Sequence, residues 1–380
     1  MDIHWKIGVE IELLAPLGKD RRLLAESLAF KIDGRVESFF HPDAEPSKVP
    51  GKRLFYNLTP AFAVFDKSEH KIAHFVDDIT LLNDLDRKAI SKKGWFRIVS
   101  DDPRLLRLAS RYSNPDLSVE ESLIALGHIF GTQPLMNNDG MSRLADEKGA
   151  SIAITAPLPG ERERPCEIVT MPISSDHANT LNTILNTAKE EGFLIPQEGA
   201  LHIHFDATKL CSARTLLNLV NLLEPYRLLL RRLVGTNKSC RRLGAWSPQL
   251  LQIVREPSFL TLDWADVLKK FLELKDLKRV ITKYCDFNIR NLLFPTGEKH
   301  TLEIRIFPVT MDTALILDMA GLFEGILRRA CQDELVTDLE PEFWREDATQ
   351  IFLSKLDLDS ELRARWLERA KKRLKDINKD

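Results

Sequence analysis

Three short segments carry acids, imidazoles and a guanidinium at alternate positions. In Gly8-Val9-Glu10-Ile11-Glu12-Leu13 the apolar side chains alternate with Glu10 and Glu12. In an extended chain the two carboxylates then share one face, about 6.6–7 Å apart along the strand. In Leu201-His202-Ile203-His204-Phe205-Asp206 the same alternation puts His202, His204 and Asp206 on one face, and in Leu302-Glu303-Ile304-Arg305-Ile306 it groups Glu303 with Arg305. A weaker fourth segment, Cys166-Glu167-Ile168-Val169-Thr170, offers Glu167. An antiparallel sheet with one face in water also alternates, but such a face normally includes Lys, Ser and Thr. Glu10, Glu12, His202, His204, Glu303 and Arg305 include none of these. Carboxylates with one or two imidazoles make an oxygen-rich site suited to Mg²⁺ or Mn²⁺ rather than a closed zinc site. Carboxylates at i and i+2 can each serve a different ion of a pair about 3.5–4 Å apart. An arginine beside them matches phosphate, which its planar fork holds at two points. Metal with phosphate points to nucleotide chemistry on an open sheet face.

The surrounding chain must hold these strands in place. Period-two patterning predicts a strand within the first 16 residues and others over 61–65, 72–79, 95–99, 151–155, 166–171, 201–206 and 301–307. Helices are expected over 23–31, 101–112, 175–191 (with Gly192 as the stop), 212–234 as one long element, 264–274 and 312–331. Ser118 and Glu121 form a capping box ahead of a helix over 120–130. Pro42, Pro46, Pro50 and Pro60 mark 41–60 as a loop covering a site, and 131–149 reads as loop. Strands and helices mix without βαβ alternation, which favours an α+β fold with an antiparallel or mixed sheet. Neither G-x-G-x-x-G nor G-x-x-x-x-G-K-[ST] occurs.

Composition narrows the class. The 380 residues carry 54 Lys+Arg against 56 Asp+Glu, with 44% hydrophobic and 29% charged residues. That balance describes a globular chain and argues against a nucleic-acid coat, which needs a net basic surface. The most apolar long window, 314–327, contains Asp318 and Glu324, so no membrane span is expected. Five well-separated cysteines without C-x-x-C spacing fit reduced thiols, and the N-terminus lacks a signal-peptide pattern, so a cytoplasmic location is expected.

Taken in order, the segments Gly8–Glu12, Glu167–Pro172, Gly199–Asp206 and Thr301–Pro308 read G-x-E-x-E, E-I-V-T-M-P, G-x-H-x-H-x-D with one more residue after the glycine, and T-x-E-x-R-x-F-P. The set resembles the amidoligases, a family similar to glutamine synthetase and glutamate–cysteine ligase within the carboxylate–amine ligase superfamily. Met171 departs from the family pattern. The likeness extends to about residue 330. It implies an α+β fold like the glutamine synthetase catalytic domain: a curved, mainly antiparallel sheet whose concave face holds metals, with helices outside. It divides the chain into a catalytic domain over 1–335 and a charged helical extension over 336–380. It implies that Glu12 and Glu167 hold one Mg²⁺ or Mn²⁺ and that Glu10, His202 and Glu303 hold a second. His204 would lie near the nucleotide, and Arg305 would stabilise the transferring γ-phosphate. Asn288, or alternatively Asn291, would orient substrate. The implied reaction is ATP-dependent amide formation between a small-molecule or peptide carboxylate and an amine, through an acyl phosphate.

Other features have two readings each. Arg227, Arg231, Arg232, Arg241 and Arg242 lie around the end of the predicted long helix, where arginines complement the helix dipole. Arg241 and Arg242 are the candidates for contact with nucleotide or substrate. The 140–150 and 157–165 loops either shape an acceptor site or are plain surface. The basic tail over 363–379 either meets a partner or an acidic surface, or packs through Leu362, Trp366, Leu374 and Ile377 as a solvated helix. Apart from the tail, the sequence leaves a protein partner or an oligomer open. Cys166 should point away from Glu167 and into the core. A metal-dependent hydrolase, a guanidino phosphotransferase and an inactive scaffold are the alternative functions. The hydrolase is weakened because only His300 follows His204.

Overall fold

The computed structural model describes residues 3–45, 55–78, 81, 90, 92, 94–158, 160, 164–240, 242–337 and 347–377. Its first strands are β1 (Ile7–Leu14), β2 (Arg35–Glu45), β3 (Phe55–Phe65), β4 (Lys71–Val76), β5 (Phe96–Ser100) and β6 (Leu135–Met136). They continue as β7 (Ser142–Ala145), β8 (Ser151–Pro157), β9 (Pro165–Thr170), β10 (Ala200–Asp206), β11 (Phe287–Asn288) and β12 (Thr301–Pro308). The helices are α1 (Arg21–Lys31), α2 (Pro103–Tyr112), α3 (Ile124–Phe130), α4 (His177–Glu190), α5 (Ala213–Leu223) and α6 (Arg227–Val234). They continue as α7 (Pro248–Val254), α8 (Trp264–Leu272), α9 (Leu277–Val280), α10 (Arg290–Leu293), α11 (Thr313–Ala330), α12 (Ala348–Ser354) and α13 (Ser360–Ile377). Every strand pair with a described register is antiparallel, as α+β patterning requires. Among the described residues no helix is long and apolar enough to cross a membrane.

The chain forms two compact units, and their boundary falls inside β1, between Ile11 and Glu12. The first comprises Met1–Ile11, Pro172–Leu185 and Gln197–Asp380. Its strands run β11-β12-β10-β1. Ile7, Val9, Ile11, Leu201, Ile203, Phe205, Leu302, Ile304 and Ile306 are all excluded from solvent, so the alternation seen in the sequence buries one face of this sheet. Between the pairs Ile203–Ile304 and Leu201–Phe307, β12 carries two residues against one on β10. This bulge shifts the phase of the alternation and sets Phe307 opposite Leu201. Phe307 then meets Phe323 of α11 edge-on, with ring centres 5.2 Å apart. Helix α11 is buried along most of its length, and α13 packs on it through the fully buried Trp366. The Trp366 indole donates to the Asp318 carbonyl at 3.2 Å. Arg365 and Arg369 grip the Asp318 carboxylate at 2.9 and 2.7 Å.

The second unit comprises Glu12–Met171 and Asn186–Pro196. Its strands run β9-β4-β3-β5-β8-β7-β6, with β2 paired to β3. Phe40, Leu58, Phe96, Ile98, Leu106, Leu126 and Leu144 form its core with α2 and α3. Helix α1 is capped by Asp20 and buries Arg21, whose guanidinium lies 4.0 Å from the Trp95 ring centre.

Several expectations are corrected. The helix expected over 212–234 is two, α5 and α6, broken around Pro225, which lacks an N–H and clashes with the preceding turn. The loop expected over 41–60 is strand at 41–45 and 55–60; the stretch 46–54 lies outside the described residues. Pro42 is accommodated because, among the described residues, β2 pairs with β3 alone and so stands as an edge strand. Pro60 stands where β3 passes from β5 to β4 as its partner. The 131–149 loop contains the hairpin β6–β7. The Ser118–Glu121 box forms, but helix α3 begins only at Ile124.

Candidate functional site

The polar face of the first unit gathers residues that are far apart in the chain. Pairing of β1 with β10 sets Glu10 opposite His202, and pairing of β10 with β12 sets His204 opposite Glu303. The short β11 sets Asn288 opposite Glu303 from the other side. His202 Nδ1 lies 3.3 Å from Glu10 Oε2 and 3.6 Å from Glu303 Oε1. His204 Nε2 lies 3.0 Å from Glu10 Oε1, and its Nδ1 lies 3.3 Å from the Thr301 hydroxyl. Arg305 Nη1 donates to Glu303 Oε1, and Asn288 Nδ2 donates to Oε2 at 2.6 Å. Glu10, at 17% side-chain exposure, is the most open of the carboxylate–imidazole group; Glu303 and His202 are at 8% and 7%.

Burial and charge work against each other here. Burial pushes the Glu10 carboxyl up, but the close His204 charge and the hydrogen bond and charge of His202 outweigh it and hold Glu10 well below its ordinary value. Burial likewise pushes Glu303 up, and His204, Arg305 and His202 bring it below its ordinary value. Burial and the Arg305 charge lower His202 despite the hydrogen bond to Glu10. Burial would lower His204 as well, yet the charges of Glu10 and Glu303 raise it. The result is two ionised carboxylates, a neutral His202 and a protonation-prone His204.

This fixes the expected pH dependence of the metal-free chain. A His204 raised in the fold contributes stability that is complete below its unfolded value of about 6.5 and is lost as pH climbs through the raised folded value. A lowered His202 acts oppositely, so stability rises with pH up to about 6.5. Glu10 and Glu303 contribute stability that is lost as pH falls through their lowered values. Melting in EDTA should therefore be most resistant near pH 6.5 or slightly above, about where the two histidine windows meet, and His204→Gln should flatten the alkaline decline. An alkaline limb identical in the two proteins would show that His204 does not carry it.

The group also fits a metal. One donor atom each from Glu10, His202 and Glu303 lie within 4.8 Å of one another. These three side chains are the ones that would hold an ion there. Both carboxylates are ionised and His202 is neutral, the state a ligand must have. His204 Nε2 is buried and, although close to Glu10, makes no well-aligned hydrogen bond. Two oxygens and one nitrogen leave positions for water or phosphate oxygen, as a Mg²⁺ or Mn²⁺ site does.

The other residues singled out fall in different places. Glu12 on β1 and Glu167 on β9 belong to the second unit, where both are half-buried and Glu167 pairs with Val76. Arg241 lies outside the described residues. Arg242 is exposed, 5.4 Å from the Tyr284 ring centre. Arg227 and Arg231 bind Asp286, whose side chain is fully buried and which also accepts from Gly244 N–H at 2.8 Å. Asp286 in turn accepts the Arg305 N–H through its own carbonyl at 2.9 Å. Sequence reasoning passed over Asp286, although an acid two residues before Asn288 was in view. Cys166 is buried, and burial pushes its thiol far above its ordinary value, so it is core.

Fold and site together describe a mixed α/β protein with an acid-and-imidazole cluster, backed by an arginine, on an antiparallel sheet. Over residues 4–325 the chain matches the family model described as "Putative amidoligase enzyme". It belongs to that family, and family membership points to an amide-forming ligase. No curated protein matches the chain.

Proposed function

We propose that the protein is an ATP-dependent carboxylate–amine ligase working through an acyl phosphate on a glutamine synthetase-like curved sheet. The observation that supports this best is the Glu10–His202–Glu303 group with Arg305 on the same Glu303 carboxylate. In the first step a substrate carboxylate oxygen bonds to the γ-phosphorus of ATP, the bond from phosphorus to the β,γ-bridging oxygen breaks, and ADP leaves. In the second, the amine nitrogen bonds to the acyl carbon, the acyl C–O bond breaks, and inorganic phosphate leaves with the amine proton passing to solvent. A divalent cation held by Glu10, His202 and Glu303 would neutralise charge on the nucleotide phosphates. Arg305 supplies a guanidinium to the equatorial oxygens of the phosphoryl group in transit. His204, raised and facing the cluster, adds positive charge beside the phosphates. Glu12 and Glu167 are proposed to hold a further Mg²⁺ or Mn²⁺, and Arg241 and Arg242 to contact nucleotide. The absence of disulfides among the five cysteines supports a reducing, cytoplasmic-type compartment.

Thermal melting with EDTA, Mg²⁺, Mg-ADP and Mg-ATP tests the reading without knowledge of the acceptor. A ligand present at 100 times its dissociation constant stabilises the fold by about 2.7 kcal/mol. The wild type should gain in melting temperature with Mg-ATP and lose that gain in EDTA, and Glu303→Gln should show no gain. A folded wild type unmoved by millimolar Mg-ATP would refute the nucleotide site.

A further inference from the structure

The Asn288 side chain is buried, at 4% exposure, and both ends of its amide are committed. Oδ1 accepts the N–H of Arg290 at 3.0 Å, which fixes the orientation of the amide and turns Nδ2 toward Glu303. Nδ2 then donates to Glu303 Oε2 at 2.6 Å. The other oxygen, Oε1, takes Arg305 and lies 3.6 Å from His202 Nδ1. Glu303 is therefore held by a neutral amide donor on one oxygen and by the Arg305 guanidinium on the other. An arginine that turns to a phosphate leaves Oε1, whereas Asn288, anchored by the backbone of Arg290, stays.

We propose that Asn288 is a positioning residue that fixes the Glu303 carboxylate for the metal, rather than a contact to substrate. This rests on the reading of Glu10, His202 and Glu303 as a metal site. A neutral amide suits the task, because it orients the carboxylate without cancelling the charge that attracts the ion. Partners of this kind contribute about 10–100-fold to metal affinity.

The test is the dissociation constant for Mn²⁺, read from the electron paramagnetic resonance of the free ion, in wild type, Asn288→Ser and Glu303→Gln. A serine hydroxyl can still accept the Arg290 N–H in a local turn, but it is too short to reach Glu303. Asn288→Ser should thus melt close to wild type in EDTA and bind Mn²⁺ about 10–100-fold more weakly. If the serine variant does not fold, Asn288→Thr keeps the hydroxyl and adds the β-branch that strands favour. Wild-type affinity within twofold in the folded variant, with binding lost in Glu303→Gln, would overturn the role of Asn288 and leave the metal site standing. No Mn²⁺ binding by the wild type would overturn both.

Discussion

Arg305→Ala should lower metal-dependent ADP release by about a thousandfold or more while leaving Mn²⁺ binding intact or tighter. The two readouts part because Arg305 does two things in this structure. Its guanidinium occupies Glu303 Oε1, an oxygen a metal would use, and its charge is among the causes that lower His202. Removing it takes a competing cation off the site, so the ion gains. On the proposed reaction the phosphoryl group in transit would lose a two-point donor, so the rate should fall. Arg305→Lys should not restore it, because an ammonium is a point charge without the planar fork. ADP formation with a pool of amino-acid carboxylates and hydroxylamine as the amine gives the rate. Activity of Arg305→Ala within tenfold of wild type would remove Arg305 from the chemistry.

The largest expected change in stability is remote from this face. Trp366→Ala should destabilise the first unit by about 3–5 kcal/mol, the usual range for a buried Trp truncated to Ala. At about 2–4 °C per kcal/mol for a unit of this size, melting should fall by about 6–20 °C. Trp366 is fully buried on α11 and donates to the Asp318 carbonyl, so truncation leaves a cavity and removes that hydrogen bond. Further along α13, Arg373 donates to the Val234 carbonyl at 2.8 Å and so closes the C-terminus of α6. Its guanidinium sits where a side chain at Gly235 would be: an added Cβ would stand 1.8 Å from Arg373 Nη1, and Gly235 has φ +79°. Helix α6 carries the two arginines that hold Asp286, so the basic tail is structural along this stretch. Scanning calorimetry in EDTA measures the effect. A shift under about 2 °C would mean that α13 contributes little to the fold.

The alternation that exposed Glu10, His202, His204, Glu303 and Arg305 was legible because side-chain direction along an extended chain follows from covalent geometry alone. The helix stop at Gly192 was legible for an equally local reason, since glycine takes the positive φ that ends a helix without a Cβ penalty. Pro225 was equally local, and its effect on the 212–234 helix was overlooked rather than hidden. The family motifs were also readable, because they are strings of residue types in order.

Partnership across the sheet was a different matter. Glu10 and His202 are separated by 192 positions, and nothing in either strand names the other as its neighbour. That choice depends on which strands close together, a non-local contact that local patterning does not encode. The same holds for Asn288, which the sequence offered as a substrate contact and the structure seats on Glu303, and for Asp286, whose value comes from two arginines more than 50 positions away. The bulge that turns Phe307 into the core leaves no mark in the alternation that precedes it. By itself, then, the sequence determined which side chains share a face and what chemistry their types permit. Tertiary pairing decided which of them meet, because contact between distant segments is set by the packing of whole elements and not by the residues at the point of contact.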